Sequence, residues 1–270
     1  MTRRRKVSPH LIKSSRNMQE TRDSIDNFAF SFLQNIWRYS TFMHSVLKNP
    51  PDNKDILLVP ISQYIVSLVG CWETFLRDTF VYLLQIDGNY YAEICGIIGV
   101  NGYKASDDVG EGVTHAEFVS QFFNFQNASD TETAFGPLFD DHQYLTNISQ
   151  FPVPYVFRKR GVLSLLALDQ FFDVHTIFNE TLEYRHRIVH DANYRLNIPR
   201  NFISSAEALF VLLPQIFAVW VAQKYDLRYS VLNLANNTVA LSKLNGLTEH
   251  EVPYIFSIED LIAEDWVISE

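Results

Sequence analysis

A short segment around residue 185 concentrates the most reactive side chains of this sequence. It has the sequence EYRHRIVHDANY over residues 183–194 and places Arg185, His186, Arg187 and His190 within six positions. Histidine has an ordinary pKa of about 6.5, so it accepts and donates protons near neutral pH. Arginine stays charged and offers a planar set of donors that matches phosphate oxygens. Together these residue types indicate a site that binds phosphate and transfers protons.

Two other interpretations of the segment compete with this one. His186 and His190 have the spacing to share a helix face and chelate a metal, but Arg187 stands where the zinc hydrolase pattern H-E-x-x-H has its glutamate. Because an adjacent guanidinium repels a dication, we expect no metal and no other cofactor. The segment also suits an ordinary solvated helix face, with Ile188 and Val189 turned towards the core.

Long helices are expected to position this segment, because apolar residues recur every three or four positions. The first helix is stopped by Pro50 and Pro51, and Pro60 is expected in the first turn of the second, which ends at Asp87 and Gly88. The spacing predicts four helices, over residues 17–47, residues 60–86, residues 163 to about 193, and residues 204–225.

The chain divides into three parts on this interpretation. Residues 1–16 form a basic, flexible N-terminus, residues 17–225 form an all-α domain, and residues 226–270 form a C-terminal extension of turns and short apolar runs. Six of the ten glycines fall between residues 88 and 112, in the first part of residues 87–160. This segment is therefore predicted to be a loop-rich insertion with one helix over residues 115–125.

Composition narrows the function classes. The 270 residues are 47% hydrophobic, enough for a sizeable core, and carry a net charge of −9. Any contact with nucleic acid must therefore be local, since non-specific binders are normally basic. The two cysteines make no disulfide framework, and no signal peptide is expected. The uncharged runs over residues 56–72 and 208–223 are shorter than the roughly 20 residues of a membrane span, so we expect a cytoplasmic protein without membrane contact.

The segment LEYRHRIVHDANY resembles the HEPN superfamily, whose hallmark is R-x(4–6)-H with a polar residue directly after the arginine. Arg185, His186 and His190 match this pattern position by position. A second arginine and histidine, Arg38 and His44, have a compatible spacing, but Tyr39 follows that arginine and lacks the required polarity.

The preceding long helix strengthens the resemblance. Its segment SLVGCWETFLRDTFVYLL is similar to the upstream helix of HEPN proteins, in which an acidic residue interrupts a long apolar run. The likeness covers residues 17–47, 57–86 and 162–225, roughly half the chain. The insertion and the C-terminal extension have no counterpart in it.

The resemblance implies an all-α, HEPN-like helical bundle that forms a homodimer. It also implies a metal-independent endoribonuclease whose catalytic residues are Arg185, His186 and His190, acting at a composite site between two protomers. The products would be a 2′,3′-cyclic phosphate and a 5′-OH. By resemblance the setting is a toxin or a phage-defence effector, with a cognate antitoxin or regulatory partner. The alternative is a catalytically inactive HEPN module that serves as a dimerisation or ligand-binding scaffold.

Glu73 is a candidate supporting residue. It interrupts an apolar helix, where an unpaired carboxylate is costly. Pairing with Arg185 or Arg187 would orient the site. Pairing with Arg77, one helical turn further on, is the alternative.

The residues that follow His190 complete the supporting set. Asp191 and Asn193 have side chains that would position His190 or the RNA backbone, and Arg187 supplies a further cation. Asn193 is also a common residue at a helix C-terminus, so a purely structural role is equally open for it.

Overall fold

The computed structural model describes residues 24–99, 114–157, 162–191 and 194–257, and it is mostly helical with a small β component. The α-helices in these ranges are α1 (Ile25–Lys48), α2 (Lys54–Ile86), α3 (Gly88–Ile97), α4 (His115–Ser120), α5 (Ala128–Phe135), α6 (Tyr144–Gln150), α7 (Val174–His190) and α8 (Arg200–Lys224). The four long ones, α1, α2, α7 and α8, correspond to the four long helices predicted from the apolar spacing. α2 and α8 contact each other, and each also contacts α1 and α7.

The first two helices form an antiparallel pair. Ring contacts join Phe28 to Tyr82 near the start of α1, at 5.6 Å between centroids, and the Ser40 hydroxyl lies 2.8 Å from that of Tyr64 near its end. The C-terminal end of α1 therefore lies beside the N-terminal half of α2.

The start of α2 differs from the prediction. The Asn53 side chain accepts a hydrogen bond of 2.9 Å from the Asp55 N–H and caps the helix, so α2 begins at Lys54. Pro60 consequently lies inside the helix rather than in its first turn. The long apolar run tolerates this proline because tertiary packing, more than local propensity, stabilises a buried helix.

Trp72 occupies the centre of the bundle. Its fully buried ring contacts Phe178 of α7 at 5.4 Å and Phe210 of α8 at 5.7 Å between centroids. Phe178 and Phe210 stack at 5.7 Å, and Tyr184 contacts Phe202 at 5.2 Å. These pairs make α7 and α8 antiparallel, so the end of α7 lies beside the start of α8.

The prediction of a loop-rich insertion over residues 87–160 is wrong for its described part. Asp87 ends α2 but also caps α3, accepting hydrogen bonds of 3.0 Å from the N–H groups of Asn89 and Tyr90. Aromatic residues of α3, of α5 and of the segment between α4 and α5 then pack around Phe80 of α2. Four rings lie within 6.0 Å of the Phe80 ring, those of Tyr90, Phe123, Phe125 and Phe135. This aromatic packing makes the segment part of the core.

The third long helix also begins later than predicted. Strands β1 (Val153–Phe157) and β2 (Val162–Leu166) pair antiparallel, and Leu163 and Leu165 are 46% and 62% exposed on the outer face of this hairpin. The alternation of these leucines has the period of a strand, which overrides the expected helix. Asp173 then caps α7 with its side chain.

The C-terminal extension contributes a second sheet, so the fold is not purely helical. Its strands are β3 (Arg228–Asn233), β4 (Thr238–Lys243) and β5 (Glu251–Pro253), antiparallel in the order β4-β3-β5. Asp26 of α1 accepts a 2.8 Å hydrogen bond from the Ser230 N–H. The Gln215 side chain of α8 exchanges two hydrogen bonds with the backbone of Phe256, at 2.9 and 3.0 Å. These bonds fasten the sheet to the bundle.

Two helices have the length and composition of membrane spans. They are the segments Asp55–Ile86 of α2 and Asn201–Lys224 of α8. The most apolar window of α8 is 78% buried within the protein, against 44% for α2. The apolar surface of α8 is thus largely used by the core. Cytoplasmic localisation stays a prediction.

Gly136 provides a test of the packing between α5 and α6. A Cβ at this position would lie 2.8 Å from the backbone oxygen of His142, whereas Gly70 inside α2 has nothing within 4 Å. We expect Gly136→Ala to lower the free energy of unfolding by about 1–3 kcal/mol. Gly70→Ala should raise it by about 0.5–1 kcal/mol through helix propensity. Urea unfolding of both variants measures the difference, and equal effects would contradict this account.

Candidate functional site

The arginine–histidine motif lies at the C-terminal end of α7. The helix ends at His190, and the backbone N–H of Asp191 closes it with a 2.9 Å hydrogen bond to the Arg187 carbonyl. Cations are favoured at this end of a helix, because unpaired carbonyls give it partial negative charge. The motif therefore belongs to a stable helical turn, and the helix fixes the spacing of its side chains. Asn193 falls outside the described residues.

The two histidines share one face of the helix and face solvent. The ring centroids of His186 and His190 are 4.7 Å apart, and both side chains are exposed. Arg185 is half-buried, and among the described residues it has no hydrogen-bond or ion-pair partner. A guanidinium without an internal partner keeps all its donors available for an external anion. The three residues thus present one cation and two titratable rings on about one and a half helical turns.

Arg187 differs from Arg185 in having an ion-pair partner. Its guanidinium donates to the Glu183 carboxylate one helical turn earlier and lies 6.0 Å from the centroid of the Tyr194 ring. The hydrogen bond to Glu183 raises the pKa of Arg187 above its ordinary value. This arginine is already partly neutralised, so it offers less to a phosphate than Arg185 does.

The inner side of the motif rests on α8. Tyr184 packs edge-on against Phe202, and Ile188 is half-buried against the core. Val189 is instead 46% exposed beside the histidines. Only one of the two apolar residues in the motif therefore points inwards, and the other leaves an apolar spot on the surface that carries the titratable groups.

Glu73 does not reach the motif. Its carboxylate accepts a 3.1 Å hydrogen bond from Arg77 and another from the Gln126 side chain. The adjacent Trp72 contacts Phe178, seven residues before Arg185, which is about 10 Å along the helix. The proposed pairing with Arg185 or Arg187 is wrong, and the alternative pairing with Arg77 is confirmed. Glu73 joins α2 to the segment before α5 and has no place in the site.

No cluster of three or more His, Cys, Asp or Glu residues arranged to hold a metal ion occurs in the described ranges. The pair His186 and His190 therefore has no third ligand there, and a single pair at helical spacing is an incomplete site for zinc.

A second titratable cluster lies at the same end of the bundle, around His44 of α1. Its Nε2 is 2.9 Å from Oε2 of Glu207, and the other carboxylate oxygen of Glu207 accepts a hydrogen bond from the Tyr64 hydroxyl. Ser40 lies 2.8 Å from that hydroxyl. His44 belongs to the second arginine–histidine pair, which fails the hallmark because Tyr39 follows Arg38, and its partner Glu207 lies 163 residues further along the chain.

The environment of this cluster perturbs its histidine. The Glu207 side chain is 6% exposed and that of His44 is 38% exposed. The hydrogen bond to Glu207 raises the pKa of His44 above its ordinary value, although partial burial acts in the opposite direction. Burial raises the pKa of Tyr64, and the nearby carboxylate raises it further, so the phenol remains a donor.

Comparison with known proteins finds no relatives. No protein-family model, no curated protein and no solved structure matches this chain. The likeness to HEPN proteins consequently stays a prediction, carried by Arg185, His186 and His190 and by the order of the helices. The activity of the motif has to be inferred from the chemistry and exposure of these side chains.

The role of Glu73 can be tested by substitution. We expect Glu73→Ala to lower the free energy of unfolding by about 1 kcal/mol, because Arg77 and Gln126 lose their common acceptor. Glu183→Ala is the matched control, since it breaks an exposed ion pair within one helix and should cost about 0.5 kcal/mol or less. Denaturant unfolding distinguishes the two. An equal, negligible effect at both sites would show that the Glu73 contacts contribute nothing.

The His44–Glu207 pair should make stability depend on pH. A histidine whose pKa is raised by folding contributes stability that is fully present below its unfolded pKa and is lost as pH rises through the folded value. We therefore expect His44→Gln to destabilise the protein most at about pH 6 and progressively less towards about pH 9. Because His44 is partly exposed, the maximum should be about 1 kcal/mol or less.

Thermal and urea unfolding of wild type and His44→Gln across this range measure the effect. His250→Gln removes an exposed histidine that lies 3.4 Å from Glu249 and is the control. A His44→Gln deficit that grows with rising pH would have the wrong sign and would contradict the assignment of the pair.

Proposed function

We propose that this protein is a metal-independent endoribonuclease of the HEPN type. The observation that carries the proposal is the end of α7, where Arg185 has no partner among the described residues and lies directly before two exposed histidines that share one helical face. Arg185 would bind the scissile phosphate, and His190 and His186 would supply the titratable groups. The helix order before and after the motif supports the same superfamily.

The chemistry of RNA cleavage suits these residue types. The 2′-oxygen of the ribose attacks the adjacent phosphorus while a neutral histidine accepts its proton. The bond from phosphorus to the 5′-oxygen then breaks, and a protonated histidine supplies a proton to the departing oxygen. A guanidinium stabilises the negative charge that accumulates on the phosphorane. The products are a 2′,3′-cyclic phosphate and a 5′-OH, and no metal or other cofactor takes part.

A composite dimer site is part of the proposal. Cleavage needs an acid, a base and a cation around a single phosphate, but Arg185 and His190 are five residues apart and are turned about 140° from each other around α7. Two-fold association of the α7 ends would bring two copies of Arg185 and of His190 to one cleft. Val189, which is 46% exposed on this part of α7, would be covered in such a dimer.

The charge of the protein supports a restricted choice of RNA. With a net charge of −9 the surface as a whole repels a polyanion, so RNA would bind where cations are concentrated. Such an enzyme stays controlled in a cell, which fits a cytoplasmic toxin or a phage-defence effector. A cognate antitoxin or another regulatory partner belongs to the same proposal, and no membrane contact does.

The test is RNA cleavage in the presence of EDTA with mapping of the product ends. We expect wild type to cleave, and Arg185→Ala and His190→Ala each to lose activity by about a hundredfold or more. Arg185→Lys should recover only part of it, since an ammonium lacks the planar donors. Arg187→Ala should lose less than Arg185→Ala, because Arg187 already pairs with Glu183.

Two exposed residues of the C-terminal extension provide matched controls. Arg228→Ala and His250→Ala remove an arginine and a histidine elsewhere on the surface and should leave the rate unchanged. If wild type leaves many RNAs intact and still dimerises through the α7 ends, the inactive HEPN scaffold replaces the nuclease. If cleavage stops on chelation, the metal-independent mechanism is wrong.

A further inference from the structure

The cluster around His44 joins three helices at the end of the bundle that carries the motif. His44 belongs to α1, Tyr64 to α2 and Glu207 to α8, and the two hydrogen bonds to the Glu207 carboxylate connect all three. Ser40 extends the network along α1 through its contact with the Tyr64 hydroxyl. A polar network at this position acts on the relative placement of the helices rather than on one helix alone.

Breaking this network would also be energetically costly. Glu207 is 5% exposed, and a buried carboxylate is costly unless it is paired and hydrogen-bonded. Its partners are a phenol, which stays a donor, and a histidine whose charge depends on pH. Protonation of His44 turns a hydrogen bond between a neutral ring and a carboxylate into an ion pair in which both partners are charged, which strengthens the contact.

The proton on the His44 ring is accessible to solvent. The His44 side chain is 38% exposed, and Nε2 is the ring atom that bonds to Glu207. The ring can therefore exchange protons with water while it stays in place. Glu207 faces it from α8, and Tyr64 lies behind that carboxylate on α2. These are the titratable groups that the neighbouring helices present to it.

A short chain of contacts leads from this cluster to the motif. Glu207 and Phe202 both lie in the first two turns of α8, and Phe202 packs against Tyr184. Tyr184 directly precedes Arg185. The start of α8 is thus held by His44 on one flank and supports the motif turn of α7 on the other.

We propose that His44 is a positioning residue for the motif. In its protonated form it clamps the start of α8 to α1 through Glu207, and α8 in turn holds Tyr184 and the turn that carries Arg185. Loss of the proton loosens this clamp and lowers the population of the geometry needed for cleavage. The inference rests on the proposed ribonuclease activity for its catalytic readout, and a second readout is independent of it.

The experiment compares variants that set the charge at this position. His44→Gln keeps a neutral donor at every pH, His44→Arg keeps a cation at every pH, and Glu207→Gln removes the carboxylate. His250→Gln is the control, and Arg185→Ala defines the inactive baseline. Values of kcat/KM for RNA cleavage are expressed relative to wild type at each pH, so that the pH dependence of the cleavage step itself cancels from the ratio.

We expect the rate of His44→Gln to be about threefold to tenfold below wild type at about pH 6 and to approach it by about pH 9. His44→Arg should equal wild type at the lower pH and exceed it at the higher one, because only wild type loses its charge. Glu207→Gln should resemble His44→Gln at low pH. Ratios that stay constant across the pH range show a purely structural role and overturn the proposal.

Amide hydrogen exchange gives the readout that needs no activity. Protection of residues 184–190 and 200–207 should fall in His44→Gln relative to wild type at about pH 6 and converge by about pH 9. If wild type is as inactive as Arg185→Ala, the ribonuclease proposal fails and this measurement alone decides on the clamp. Unchanged protection in these segments at the lower pH overturns the clamp, whatever the activity.

Discussion

The packing of Trp72 against Phe178 and Phe210 is the interaction on which the placement of the motif depends. These three rings come from α2, α7 and α8, and each is buried. Aromatic pairs of this kind fix both the distance and the relative rotation of helices, since their preferred geometries are edge-on or offset. This packing holds α7 in its N-terminal half, and the buried residues of the helix end at Leu182, so its last two turns carry no buried side chain. The motif is exposed for this reason, while its spacing is kept by the helix.

The electrostatic character of the motif depends on which of its charged side chains form ion pairs. Two arginines lie two positions apart on α7, yet Arg187 is bound to Glu183 and Arg185 is not. A helix places residues two apart on different faces, so Glu183 can reach only one of them. The separation leaves one guanidinium available beside the histidines, in a protein whose overall charge is negative. A polyanion would therefore be attracted at Arg185 and repelled by the net negative charge of the protein as a whole.

The parts of the chain outside the four long helices are structural supports of the same core. Aromatic rings from the segment predicted to be a loop-rich insertion pack against Phe80 of α2, and the Gln215 side chain of α8 forms hydrogen bonds with the backbone of Phe256. Both helices are therefore covered on sides that a bare four-helix bundle would leave exposed. The added elements stabilise α2 and α8, the two central helices. These added elements leave uncovered the ends of the outer helices α1 and α7, where His44 and the motif lie.

The sequence by itself determined the four long helices and the motif on the third, because helical periodicity and an arginine–histidine spacing are local properties of the chain. It misplaced the start of α7, since Leu163 and Leu165 suit a helix or a strand until β1 pairs with them. Only the tertiary structure decided the partners of the charged residues. Glu73 binds Arg77 and Gln126, and His44 binds a carboxylate 163 residues away. Contacts between residues so far apart in the chain produce no periodic pattern in the sequence, because their geometry exists only after the helices have packed.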